Sequence, residues 1–293
     1  MNRRKATEII RGQKAIDGAG VHLTRVLGIR TTNSFDPFLM LDGFDSHNPQ
    51  DYIKGFPWHP HRGIETVTYL ISGAMEHGDN LGNKGVIRTG GAQWMSAGSG
   101  IIHQEMPQAS DHMLGCQLWV NLPKKDKMSE PSYGDIVASD VPKVEEKHAV
   151  VRVISGEYRG TKGGFAPKYV QVTYLDVDVE PNEVWEYDGI TNNQTLFTYL
   201  FTGEMAVNES LNEMEKKGCA VLFTASSDSK EEADVLRVKA GAEGARFALL
   251  AAEPLHEPIA WGGPVVMNTR EELEVAFDEM DNGTFIKSNA ANS

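Results

Sequence analysis

Cysteine is scarce in this chain. Cys116 and Cys219 are the only two, far apart and without C-x-x-C spacing. That excludes a disulfide framework and a thiolate-rich metal site. Both lie in apolar runs (GCQLWV and GCAVLF), which predicts buried free thiols in a reducing compartment. Long hydrophobic runs are missing too, and no stretch reaches the roughly 20 apolar residues that a membrane-spanning helix needs. The basic opening, MNRRKATEIIRGQKAID, lacks the apolar segment of a secretory signal, so a cytoplasmic location is expected. Positive charge is in deficit: 28 Lys and Arg stand against 41 Asp and Glu, a formal net charge of −13. Such a surface repels phosphate backbones and anionic lipid, so neither direct nucleic-acid binding nor membrane docking is expected. No P-loop or dinucleotide fingerprint is present.

What is plentiful is glycine, 29 residues, with 13 prolines, punctuating many short apolar runs. VTYLIS (67–72), CQLWVNL (116–122), VVRVIS (150–155), YVQVTYLDVDV (169–179), LFTYLF (196–201) and CAVLFT (219–224) are examples. VLRVKA (235–240) and RFALLAA (246–252) extend the series. Several alternate with period two; Leu175, Val177 and Val179 oppose Asp176 and Asp178. Short β-rich runs between turn signals predict an all-β protein of sandwiches or barrels. One helix is expected near the end. Thr269 and Glu272 form a capping-box pattern, Leu273, Ala276, Phe277 and Met280 follow at helical spacing, and Asn282-Gly283 supplies the stop.

A chain of 293 residues suits two domains. An internal repeat points the same way: TYLISGAM at 68–75 returns as TYLFTGEM at 198–205. Each copy reads as a strand running into a glycine turn, which predicts two similar β-barrels. The polar stretch 124–149 is the expected linker, dividing the chain into domains 1–135 and 136–293, with the helix in the second.

The chemistry is concentrated in two segments. In GFPWHPHRGIETVTYLISG (55–73), His59 and His61 are two apart; in GGAQWMSAGSGIIHQEMP (90–107), so are His103 and Glu105. On strands, residues i and i+2 share a face. If the two strands are neighbours, three imidazoles and one carboxylate converge. Any one such histidine is more often a hydrogen-bonded core or surface residue. H-x-H followed by H-x-E across a Gly-rich turn is far more specific. That donor set suits one divalent ion: iron, manganese, nickel, copper or zinc. On an octahedral ion, four protein ligands leave two positions open for substrate and dioxygen.

These segments resemble the two cupin motifs, and their wording is similar to the pirin family. DPFLMLDGF (36–44), FPWHPHRG (56–63), GAQWMSAGSGIIHQEMP (91–107), LGCQLWVNLP (114–123) and EPLHEP with GGPVVMNT (253–269) carry the resemblance over most of the chain. It implies a bicupin: two jelly-roll barrels, with a metal, normally iron as Fe(II), in the N-terminal one. It implies His59, His61, His103 and Glu105 as ligands, and leaves Glu65, the archetypal cupin ligand position, a supporting role. The second barrel, which has no H-x-H, is expected to be metal-free.

The resemblance also implies quercetin 2,3-dioxygenase activity, with a flavonol or other small aromatic enol and O2 as substrates. Glu105 would be both ligand and catalytic base, taking the proton of the flavonol hydroxyl before ring opening and carbon monoxide release. The alternative it implies is a non-enzymatic, redox-responsive regulator with a protein partner. Gln117 and Trp119 are candidates for the cavity wall, His77 and Asp79 for its rim, and Arg62 for an ion pair, with Glu65 as one candidate partner. Phe56, Trp58 and Met106 flank the ligands, with Trp58 and Met106 expected on the opposite face. His22, His47, His112, His148 and His256 show no ligand spacing.

Overall fold

A computed structural model describes all residues except Met1, Ile190, Asn192, Glu209, 224–233 and 288–293. Strand makes up 56% of the structure, and among the described residues there is one α-helix, near the C-terminal end. Two compact units emerge, and neither is a single stretch of chain. One comprises 1–13, 33–37 and 139–254; the other comprises 14–32, 38–138 and 255–293.

The division differs from the expected cut at 135/136 at both ends of the chain. Strand Ala6–Arg11 pairs with Cys219–Phe223, so the first residues complete the sheet of the second half. The last residues, from 255, belong to the unit built mainly from 38–138. A single cut cannot describe such an exchange, because local periodicity reveals a strand but not its partner. The expected linker is also structured. Strand Ser132–Ile136 pairs with Ala92–Ser96, and Lys143–Glu145 pairs with Ala149–Ser155.

The unit containing 139–254 is a large sheet, antiparallel except for the short strand Asn2–Arg3, around one apolar core. Tyr158, Trp185, Tyr187 and Phe247 bring their rings together there, among Leu175, Val177 and Leu249. Asp176, on the other face of its strand, is also fully buried. Arg246 holds it at 2.9 and 2.6 Å, with Arg152 at 3.4 Å. The two runs 235–240 and 246–252 form one 19-residue strand, Asp234–Ala252. The YVQVTYLDVDV run becomes a strand only from Thr173.

The unit containing 38–138 stacks a seven-stranded sheet and a four-stranded sheet. In the larger, Met113–Asn121 lies between Ile64–Ser72 and Phe38–Ser46 and is buried at every position. In the smaller, the order is Phe56–His61, Ile101–Gln108, Ala74–Asp79, Lys84–Arg88. Ile101–Gln108 alternates strictly between buried and half-buried residues, so one face points inward. The helix Arg270–Asp281 starts with the expected capping box. Its Ala276 packs with Val265, Met267 and Phe285.

The first copy of the repeat breaks at Gly73, between strands Ile64–Ser72 and Ala74–Asp79, whereas the second runs on as one strand, Thr195–Ala206, with an irregular pairing next to Gly203. Gly73 (φ 105°) and Gly203 (φ 76°) adopt backbone that residues with side chains rarely take. Both cysteines are buried, and neither is in a disulfide.

Candidate metal centre

Strand Phe56–His61 lies antiparallel to Ile101–Gln108, with His59 opposite His103 and His61 opposite Ile101. The period of two then turns all three imidazoles to one side. Gly98 and Gly100, both at positive φ, make the turn that feeds the second strand. A close approach fixes the other end: a Cβ on Gly55 would fall 2.6 Å from the carbonyl oxygen of Glu105. Only glycine fits there.

One ring nitrogen from each of His59, His61 and His103 lies within 4.8 Å of the others. Among the described residues no other cluster of metal-binding side chains forms. The Nε2 atoms of His59 and His103 are 2.9 Å apart. His59 donates through Nδ1 to the carbonyl of Pro57 at 2.8 Å, and His61 donates through Nδ1 to that of Pro264 at 3.1 Å. A carbonyl can only accept, so each Nδ1 carries a hydrogen, which leaves Nε2 as the atom that could bind a metal. Orientation of a metal-binding imidazole by a carbonyl at its other nitrogen is the usual arrangement. Burial pushes His61 down to about 3, and the neighbouring His59 adds to it. His103 is held well below the ordinary histidine range by burial, then by His61, His59 and His77. Both rings are therefore neutral at physiological pH. Neutral His61 and His103, with the half-buried His59 beside them, could hold a metal ion, and imidazole chemistry suits a divalent one.

Glu105 faces the same interior but stands outside the imidazole cluster. Gln117 Nε2 donates to its two oxygens at 2.8 and 2.7 Å, and the Thr68 hydroxyl donates to Oε1 at 2.9 Å. Gln117 and Thr68 lie on the seven-stranded sheet, so these bonds cross between the two sheets. Glu105 is 1% exposed.

The centre forms part of the wall of a cavity of about 770 Å³. That is ample for a small organic ligand. His59, His61, Gln117 and Trp119 line it, as do Met40, Phe56, Trp58 and Trp261. Trp119 stands edge-on to His61, with centroids 4.9 Å apart, and leans on Trp261 at 5.8 Å. Gln117 and Trp119 are thus cavity residues as well as buried ones. Trp58 is at the wall despite the alternation argument, and 53% exposed.

Arg62, His77 and Asp79 differ from expectation. Arg62 pairs with Glu279 at 2.7 Å rather than with Glu65; it also donates to the carbonyls of Ser99 and Phe285. Glu65 is buried beside Trp94 and Ser96, and burial raises its carboxyl to about 7. His77 and Asp79 lie on a buried strand rather than a rim loop, opposite Glu105 and His103. His77 meets the Tyr133 hydroxyl through Nδ1, and its Nε2 lies 3.2 Å from Asp135. Gln93 in turn donates to Tyr133. The H-x-D spacing of 77–79, the same two-residue step as in the pairs 59/61 and 103/105, was the available signal.

The pirin family pattern matches residues 20–120, and the pirin C-terminal cupin domain pattern matches 174–286. A pirin-like protein of Caulobacter vibrioides is 42% identical over 96% of this chain and 99% of its own length. This chain belongs to the pirin family. The human protein Pirin is 36% identical, over 95% of this chain and 93% of its own. Among solved structures, a quercetin 2,3-dioxygenase from Acinetobacter baumannii superposes with TM-score 0.83 at 30% identity, covering 97% of this chain and 98% of that one. The two sheet units of this pirin are accordingly cupin domains.

Proposed function

We propose that this pirin is a cytoplasmic, iron(II)-dependent dioxygenase that opens a flavonol with O2 and releases carbon monoxide. His59, His61, His103 and Glu105 are the proposed metal ligands. The observation that carries the reading is the convergence of three imidazole nitrogens within 4.8 Å beside an aromatic-walled cavity. The likeness to the Acinetobacter baumannii quercetin 2,3-dioxygenase supports it. Manganese, nickel, copper and zinc suit the same donors, and supply in the cell chooses among them.

The metal, when bound, supplies a Lewis-acidic position for the flavonol hydroxyl and for dioxygen. The rest is done by the chain. Trp119, Trp261 and Met40 offer flat apolar contact to an aromatic substrate. Glu105 is the base for the flavonol hydroxyl proton, and Gln117 and Thr68 hold its carboxylate in place.

The test is carbon monoxide release from quercetin by the metal-reconstituted protein, compared with Glu105→Ala. Release that is lost in the variant supports the proposal. Tight metal binding without turnover would favour the redox-responsive regulator with a protein partner instead.

A further inference from the structure

A polar row crosses the cavity face of the seven-stranded sheet. Arg25 is opposite Asp42, Asp42 is opposite Gln117, and Gln117 is opposite Thr68 on successive strands. One end of the row holds Glu105. The other ends in a charged cluster that no step above uses. Arg25 clasps Asp42 through Nε at 2.9 Å and Nη2 at 2.7 Å, and Nη2 also reaches Asp17 at 2.7 Å. Asp17, Arg25 and Asp42 all line the same cavity as His59 and His61.

This cluster is built, not incidental. Asp17 begins the tight turn 17–20, and its Oδ1 accepts from the Gly18 amide at 2.7 Å. Gly18, at φ 56°, lies so close to the metal-bearing strand that a Cβ would meet Phe56 and the Gly55 carbonyl at 2.6 Å. The Ala19 amide donates to that same carbonyl at 2.9 Å. Asp17 is thus clamped beside the start of the strand that carries His59.

The cluster holds two carboxylates and one guanidinium, a net charge of −1. It repels a second anionic group on a ligand. It offers carboxylate acceptors for hydroxyl hydrogens, and among the described residues nothing accepts from Nη1 of Arg25. A pair of adjacent phenolic hydroxyls matches that arrangement: it donates to the carboxylates and accepts from the guanidinium. The separation also matches. From Gln117 to Arg25 is two strand spacings, about 10 Å, the scale of a three-ring flavonol. The neighbouring row, Met40 and Trp119, supplies the apolar contact alongside.

We infer that Asp17, Arg25 and Asp42 form the specificity subsite that reads the catechol ring of the substrate, at the end remote from the reacting ring. This rests on the flavonol reading above.

The test is calorimetric binding to the protein loaded with one equivalent of zinc(II), which does not turn over. Quercetin is compared with galangin, the analogue that lacks both hydroxyls on that ring. The wild type should bind quercetin about tenfold more tightly, the worth of one hydrogen bond to a charged group. Asp17→Asn, which keeps an oxygen for the Gly18 amide but removes the carboxylate charge at a site 49% exposed, should remove most of that preference. Equal binding of the two flavonols by the wild type, or an undiminished preference in the variant, overturns the subsite and leaves the dioxygenase reading standing. Binding of neither flavonol by the wild type overturns the dioxygenase reading itself, and the subsite with it.

Discussion

His61 and Pro264 are 203 residues apart and joined by a hydrogen bond, ring Nδ1 to backbone carbonyl, at 3.1 Å. The segment after 254 is therefore part of the centre. Arg62, the next residue along, fastens the same segment through Glu279 and the Phe285 carbonyl, and its guanidinium lies 4.2 Å over the Phe285 ring. Arg62→Met leaves Glu279 with Lys287, at 2.8 Å, as its remaining cationic partner and frees that carbonyl. Losing one member of a buried pair costs about 3–5 kcal/mol. Glu279 is partly exposed, so the low end is expected in urea unfolding; a change below about 1 kcal/mol would show the pair to be a surface pair in effect.

His103→Ala should leave a folded protein with a metal content near zero by elemental analysis. The seven-stranded sheet contributes no imidazole to the cluster, and its core remains intact. A full equivalent of metal in that variant would remove His103 from the ligand set.

Gln117→Leu keeps the side-chain size but takes away the amide that donates to both Glu105 oxygens. Activity should fall about 10–100-fold, as for loss of a group that orients a ligand. Stability should drop by about 1–3 kcal/mol, because a buried carboxylate loses a donor. Thr68→Val, which removes one of the three donor contacts to Glu105 together with an acceptor for Gln117, should do less on both counts. Equal activity in all three proteins would show that the network does not position Glu105.

Glu65 makes stability depend on pH. Its carboxyl titrates at about 7 in the fold against 4.5 when free, because burial disfavours the charge. The folded state holds the proton more tightly, so this contribution is complete below pH 4.5 and is lost as pH rises through 7. The loss is about 3 kcal/mol. Glu65→Gln should flatten the fall in stability over that window. An unchanged slope would assign the effect to another group.

The fold class and the imidazole cluster were legible because both depend on short-range pattern. Two-residue spacing is enough to put His59 and His61 on one face, and Gly98 and Gly100 announce the turn before His103. The helix was legible for the same reason, through Thr269 and Glu272. Pairing across long stretches of chain was not. Nothing near Ala6 says that it joins Phe223, and nothing near Pro264 says that it meets His61. Arg62 pointed to a nearby acid in sequence, Glu65, but the acid near in space is Glu279. Glu105 sits between these cases: its face follows from the period of two, while its partners Gln117 and Thr68 follow only from the packing of one sheet on another.

The most direct test of the metal-dioxygenase account is oxygen uptake with quercetin after anaerobic reconstitution with iron(II). The account predicts uptake matched by carbon monoxide release, dependent on the metal and abolished in His103→Ala. A fully iron-loaded protein that consumes no oxygen with quercetin would contradict it.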